Sequence, residues 1–456
     1  MKRTLLLLPL LLLLVSASAQ LIAGPMLGPV ELREAKLWLE VGASARNVQV
    51  VYSQAGSRSV KGENTSTRTL TYRGELGRDG NPVQFTLAGL EPGTRYNYGF
   101  VIDGKPVPGG SFRTKELWQH RRPAPDFSFL TGSCSYVNEP PYDRPGPPYG
   151  GDSSIFLAMA KEKADFMLWL GDNWYYREVD FYSRTGLWYR ARRDRSRPVL
   201  QPLLKAMPHL AIWDDHDYGP NDGDKSYILK DESRKVFQSY WPNPSFGENG
   251  QGIYTMTSWG DVDIFMMDDR WFRSANAMQA TDSSGAPNAA KRMWGPQQME
   301  WLKNALVSSR ATFKLLATGN QTLNPKSRFE CLQDYPVEFR ELMQFLADEK
   351  IPGVLFLTGD RHHSEVIRWN RPGTYPLYDI TSSPLTSGVS KVTGTAEADN
   401  PARVPGTLVE LPNYTRVTVS GARGARRLQV QFLSGGGAPL ASWSVGESEL
   451  KPTSSR

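Results

Sequence analysis

Cysteine is scarce: the 456 residues contain two, Cys134 and Cys331, so at most one intramolecular disulfide can form. In an exported chain that single disulfide is the default expectation. The apolar run from Leu5 to Val15 is shorter than the roughly 20 residues of a bilayer span, so no membrane span is expected. No cysteine follows that run, which argues against a lipid anchor, and a lone Lys2-Arg3 pair is not a twin-arginine signal. The chain has no polybasic tail and no internal repeat. Charges of both signs are interspersed, and no stable nucleic-acid partner is expected. The formal net charge of +6 becomes +4 once Lys2 and Arg3 are set aside, a mild balance that favours anionic substrates without deciding much.

The same N-terminal residues have a positive reading. Lys2 and Arg3, the apolar run and Ala17-Ser18-Ala19 form the basic, apolar and small-residue regions of a signal peptide over residues 1–19. The mature chain is expected to start at Gln20 and to be secreted or periplasmic. What remains is too long for one typical domain, so a large and a small domain are expected. The 13 Trp and 19 Tyr suit a large core and an aromatic-lined cleft.

Residues 20–120 read as all-β. Alternating runs such as Lys36 to Val41 and Val48 to Tyr52 are separated by Gly, Ser and Asn clusters. Leu90 to Tyr98 has the pattern of a tyrosine corner leading into a late sandwich strand, and the module resembles fibronectin type III domains. Asp103-Gly104 marks a hairpin and Arg121 to Pro125 a linker. From 126 to 450 the pattern becomes layered α/β. Short apolar runs begin at Phe127, Phe166, Leu210, Ile264, Leu315 and Val354. They alternate with helix-like segments at Ser153 to Lys163, Pro296 to Ser308 and Pro336 to Glu349. Long loops, Asn138 to Gly151 and Asp222 to Phe246, read as lids or walls. Residues 413 to 446 return to β character.

Polar clusters sit where the apolar runs end. Gly132-Ser133-Cys134 follows the first, and Gly171-Asp172-Asn173 with Tyr175 the second. Asp214-Asp215-His216-Asp217 with Asn221 follows the third, and Gly359-Asp360-Arg361-His362-His363 another. Strand carboxyl ends line the functional crevice of open α/β sheets, so these groups are expected to converge. Several carboxylates in one crevice stay ionised only beside cations. Asp, Asn and His suit oxygen and nitrogen coordination of two or more metals, which can polarise a phosphoryl group and generate hydroxide from water. His216, between acids, reads as a proton donor to the leaving group or as a satisfied core histidine. Arg270, after Asp268-Asp269, reads as the cation facing the phosphoryl oxygens.

These motifs, together with the N-terminal β-module, resemble the PhoD-like alkaline phosphatases and phosphodiesterases over nearly the whole mature chain. The resemblance implies a metallophosphatase-like α/β domain and a small phosphoester substrate, monoester or diester. It implies a ferric ion and calcium ions, with Cys134, Asp172, Tyr175, Asp360 and His362 as ligands and Asp215 and Asn221 completing the calcium side. On this reading Cys134 is a ligand rather than half of a disulfide, and Asn173 leaves phosphate recognition at its position in doubt. Tyr175 read alone is a packed aromatic, Asp172 a turn cap, and His363 stands behind His362. Two rivals remain: a serine esterase of the GDSL kind using Ser153, Asp360 and His363, and a non-catalytic exported binding protein.

Overall fold

A computed structural model describes residues 21–56, 67–78 and 80–452; the signal-peptide reading of residues 1–19, and Gln20 after it, lie outside the described residues. The N-terminal strands are β1 (Leu21–Val30), β2 (Glu34–Val41), β3 (Val48–Gln54), β4 (Arg68–Thr71), β5 (Asn81–Ala88), β6 (Arg95–Ile102) and β7 (Lys105–Arg113). Period-two burial along β3 and β5 shows why they form: every second side chain enters the core. The strands pair in two antiparallel sheets, β1-β2-β5 and β4-β3-β6-β7. The tyrosine corner forms as expected, the Glu91 amide donating to Tyr96 Oη at 2.9 Å. Asp103 (φ 48°) and Gly104 (φ 79°) make the β6–β7 hairpin.

The larger part contains β8 (Phe127–Gly132), β9 (Phe166–Leu170), β10 (His209–Ile212), β11 (Thr255–Trp259), β12 (Val262–Met266), β13 (Phe313–Ala317), β14 (Val354–Thr358), β15 (Glu365–Trp369), β16 (Leu377–Thr381), β17 (Asn413–Ser420), β18 (Arg427–Ser434) and β19 (Pro439–Gly446). They form two six-stranded mixed sheets, ordered β10-β9-β8-β17-β18-β19 and β11-β12-β13-β14-β16-β15. β8, β9 and β10 are parallel, as are β12, β13, β14 and β16. Every residue of β9, β10, β13, β14 and β16 is buried, the signature of parallel strands covered on both faces. Both sheets feed one hydrophobic core; Trp259 of β11 meets Phe166 of β9 with centroids 4.9 Å apart. The parallel strands of each sheet point their carboxyl ends at one crevice.

The module docks on this core through β1 and β2. Trp38 Nε1 donates to the Ser239 carbonyl at 2.9 Å and Lys36 Nζ to that of Asn243 at 2.7 Å. Two expectations change. The helix after Gly151 spans only Ile155–Met159. The segment 222–246, read as an irregular loop, carries the helix Lys230–Tyr240. Its buried face, Ser233, Val236, Phe237 and Tyr240, has helical spacing, masked in the sequence by the prolines and glycine that follow. Among the described residues no helix is long and apolar enough to cross a membrane.

Candidate metal centre

At the carboxyl ends of β8, β9 and β14 the backbone turns sharply. Cys134 (φ 61°), Asp172 (φ 53°), Asp360 (φ 64°) and His362 (φ 55°) all adopt the left-handed region, where a non-glycine residue costs of order 1–3 kcal/mol. Such strain collects where side chains must be aimed. Gly359 shows how tightly the two sheets meet here: a Cβ at that position would lie 2.7 Å from the Leu170 carbonyl oxygen and from Ser133. Gly171 (φ 92°) is held by the same crowding, against Asp214.

These turns bring the candidate ligands together. Ligand atoms of Cys134, Asp172 and His362 lie within 4.8 Å of one another, and so do those of Asp172, Asp215 and His216. Asp172 belongs to both groups. Tyr175 Oη donates to Asp172 Oδ2 at 2.9 Å and lies 3.4 Å from His362 Nε2; Cys134 Sγ is 3.5 Å from the same carboxylate oxygen. The Tyr175 and His216 rings pack at a 30° tilt with centroids 4.2 Å apart. The His216 amide donates to Asp215 Oδ1 at 2.9 Å, while its Nδ1 is buried without a partner. Asp360 stands outside both groups but close enough to feel them. Cys134 and Cys331 are both buried free thiols, not a disulfide.

The electrostatics are those of a crowded anionic site. Burial, then Asp215 and Cys134, push the Asp172 carboxyl well above the usual range. Burial, then Glu330 and Asp215, push Asp360 up to about 7. Burial and Asp360 raise the Cys134 thiol to about 11. For Asp215 burial is outweighed by His216, Arg270 and the Asp222 amide, so it stays below the ordinary carboxylate range. Burial lowers His216 and His362, partly offset by Asp215 and Asp360 respectively. Thiol, phenol, imidazoles and carboxylates that repel one another in this way form a donor set that cations would neutralise and hold together. The residues present fit metal ions.

Two sequence readings need correction: Arg270 as a phosphate contact and the serine-esterase triad. Arg270 does not face the cleft. It is fully buried, pairs with Asp214, and donates from Nη2 to Glu330 at 2.5 Å and from Nη1 to Gly223 at 3.4 Å. Its donors are thus consumed beneath the site. Asn221 is exposed and lines the same cleft as Tyr175 and His216. Asn173 turns away, donating to the Ile212 carbonyl at 2.8 Å, in keeping with the doubt over phosphate recognition at its position. The Ser153, Asp360 and His363 esterase triad is not assembled. Buried His363 lies 3.4 Å from Glu365, and Ser153 lines a separate small cavity with Arg195 and Leu200.

A family model described as PhoD-like phosphatase matches residues 129–431. The chain belongs to the PhoD-like phosphatase family. A second model, a domain of unknown function (DUF7800), matches residues 18–111. Alkaline phosphatase D of Bacillus subtilis (strain 168) is 26% identical over 396 residues, 74% of this chain and 64% of that protein. The chain therefore spans less than two thirds of the length of that curated relative. A solved structure of PhoD aligns with a TM-score of 0.76 at 19% identity, covering 96% of this chain and 93% of that one. Purple acid phosphatase PPD1 from yellow lupin seeds aligns at 0.64 and 11% identity, covering 94% and 77%. Both share the metallophosphatase-like fold, as the sequence led one to expect.

Other residues at the site escaped the sequence reading. Asn320, after β13, has Nδ2 3.3 Å from Asp214 and 3.2 Å from Glu330. Trp213 Nε1 donates to Asp268 Oδ1 at 2.8 Å, tying the ends of β10 and β12. Tyr149 lies 2.9 Å from His362 Nδ1. The first two follow apolar runs, which was a usable signal. Nothing local marks Tyr149 or Glu330.

Proposed function

We propose that this chain is an exported, metal-dependent phosphoesterase acting on small phosphomonoesters or phosphodiesters. The observation that supports it most is the pair of donor groups meeting at Asp172. The side holding Cys134, Tyr175, Asp172 and His362, with Asp360 beside it, has the sulfur, phenol and imidazole donors that suit a ferric ion. The side holding Asp172 and Asp215 is oxygen-rich and suits calcium. Bound ions would supply Lewis acidity toward a phosphoryl group and toward water.

The chain's own residues do the rest. Asp172 is braced by Tyr175 on Oδ2 and by the His216 amide, 3.3 Å from Oδ1, so both carboxylate oxygens are held in place. Asp214 and Glu330 lock Arg270 below, which lends positive potential to Asp215 without contacting substrate. His216 is partly open to the cleft and packs against the Tyr175 ring. An entering phosphoryl dianion favours its charged form, so it can deliver a proton to the leaving oxygen. Its place beside Asp172 and Asp215 also allows it to serve the same ion.

The test is one comparison on purified protein. Chelation should abolish hydrolysis across a phosphomonoester and phosphodiester panel, and restored metal should return it. Serine-directed phosphonates and Ser153→Ala should leave activity intact. His216→Gln should slow turnover, most for poor leaving groups, with metal content unchanged; parallel metal loss would assign it as a ligand instead. Absence of hydrolysis by fully metal-loaded protein would leave the non-catalytic binding reading. Export rests on the N-terminal residues alone, and N-terminal sequencing of envelope or secreted material should start at Gln20.

A further inference from the structure

An anionic substrate needs donors in the cleft, and the charged candidates are committed or distant. Arg270 is buried. Arg177, in the cleft wall, donates to Asp143 at 3.0 Å and to the carbonyls of Tyr175 and Val137. The Arg144 side chain is 82% exposed at the rim. A neutral donor is closer.

The Pro-rich loop 138–151 is closed on itself by a two-way amide clamp. Asn138 Nδ2 donates to the Gly150 carbonyl at 2.7 Å and the Gly150 amide to Asn138 Oδ1 at 2.9 Å. The Gly151 amide then bonds the Thr386 carbonyl at 2.6 Å. This clamp seats Tyr149 edge-on against Tyr136, with centroids 4.9 Å apart. It also lies over Gly388, where a Cβ would meet the Tyr149 ring at 3.0 Å. Tyr149 is 46% exposed and lines a cleft of about 390 Å³ with Tyr175, His216 and Asn221.

The hydrogen bonds around His362 decide what the Tyr149 phenol can do. Nδ1 lies 2.7 Å from the Gly388 carbonyl oxygen and 2.9 Å from Tyr149 Oη. A carbonyl only accepts, so Nδ1 carries the proton and Nε2 keeps its lone pair, on the side of Tyr175. Tyr149 Oη therefore meets an N–H with its own lone pair, and its proton is not used there. Among the described residues Oη has no other partner.

We propose that Tyr149 is a substrate-contacting residue, its O–H donating to a non-bridging phosphoryl oxygen of the phosphoester bound at the Asp172 cluster. This rests on the phosphoesterase reading. The Gly388 carbonyl fixes the His362 tautomer that leaves Nε2 free toward the cluster, and the phenol, accepting from the same Nδ1–H, helps hold the ring's orientation. Binding and orientation thus share one side chain.

Tyr149→Phe keeps the ring and its contacts and removes only the donor. On metal-loaded protein, inorganic phosphate binding by calorimetry should weaken roughly tenfold to hundredfold, the loss of one hydrogen bond to a charged oxygen. kcat/KM on a phosphoester should fall by a similar factor with metal content unchanged. Unaltered phosphate affinity would overturn the proposal. So would metal loss parallel to activity loss, which would make Tyr149 a positioning group for His362 alone. If the parent enzyme hydrolyses no phosphoester, the phosphoesterase reading fails, while the phosphate titration still decides whether Tyr149 is an anion donor.

Discussion

Glu40 supplies a sharp test of how the β-module is docked. It lies on β2, fully buried against the larger domain. Tyr240 donates to its Oε1 at 3.0 Å, Arg192 Nε stands 3.7 Å away, and Oε2 has no hydrogen-bond partner among the described residues. Burial outweighs Tyr240, Arg192 and Arg195 and lifts its carboxyl from 4.5 to about 7. The folded state thus holds a proton that the unfolded chain has already lost. At low pH both states are protonated and no penalty arises. As pH climbs past 4.5 the unfolded chain ionises first and stability declines, levelling off above about 7. At about 1.4 kcal/mol per pH unit, the full penalty is roughly 3–4 kcal/mol, an upper value because ionised Glu40 can move toward Arg192. Glu40→Gln keeps the acceptor for Tyr240 and removes the titration. Urea midpoints of parent and variant at matched metal concentration should coincide near pH 4.5 and diverge by pH 8.5, the variant being the more stable. A difference that is flat with pH, or that grows toward acid, would refute the reasoning.

Other outcomes follow from the site itself. Arg270→Met leaves buried Asp214 without its counter-charge and Glu330 with Arg273 as its remaining arginine partner, which costs roughly 3–5 kcal/mol and should lower the urea midpoint; a raised KM at unchanged midpoint would instead restore Arg270 as a phosphate contact. Cys134→Ser should deplete iron, bleach any visible phenolate or thiolate band and remove most activity, while Cys331→Ser should do none of these. An iron-free, colourless but fully active parent would remove the ferric assignment.

How much could be read beforehand depended on how local each signal was. β8, β9, β10 and β14 are short apolar runs ending in Gly-Ser-Cys, Gly-Asp, Trp-Asp-Asp and Thr-Gly-Asp. The run and its terminator are contiguous, so both strand and crevice were legible. Arg270 shows the limit. An arginine after a strand looks like a free cation, and only the arrival of Glu330, sixty residues on, shows that its charge is used internally. Tyr149 fails for the same reason. Its loop could be recognised as a wall, but its position depends on the Asn138–Gly150 clamp and on Gly388, a contact made across more than two hundred residues. The helix Lys230–Tyr240 was different: its pattern was present locally, and neighbouring turn residues outvoted it.

The left-handed residues at the strand ends bear on why this site is built as it is. A side chain that simply continued a β-strand would alternate between the two faces of its sheet, and β8, β9 and β14 would scatter their ligands. A single left-handed residue at each end turns Cys134, Asp172 and Asp360 back over the crevice, and a second at His362 aims Nε2 toward Tyr175. Each turn costs free energy, and so does crowding Asp172, Asp215 and Asp360 in one buried space. Both costs fall on the metal-free protein, and ions bound between the carboxylates would relieve the second while using the geometry fixed by the first. At Gly171 and Gly359 beside those turns, an added Cβ would collide with Asp214, and with Leu170 and Ser133, respectively. Substitutions at these glycines would therefore displace the strand-end turns that carry Cys134, Asp172 and Asp360, and Gly171→Ala and Gly359→Ala are expected to lower the metal content of the purified protein as ligand substitutions would.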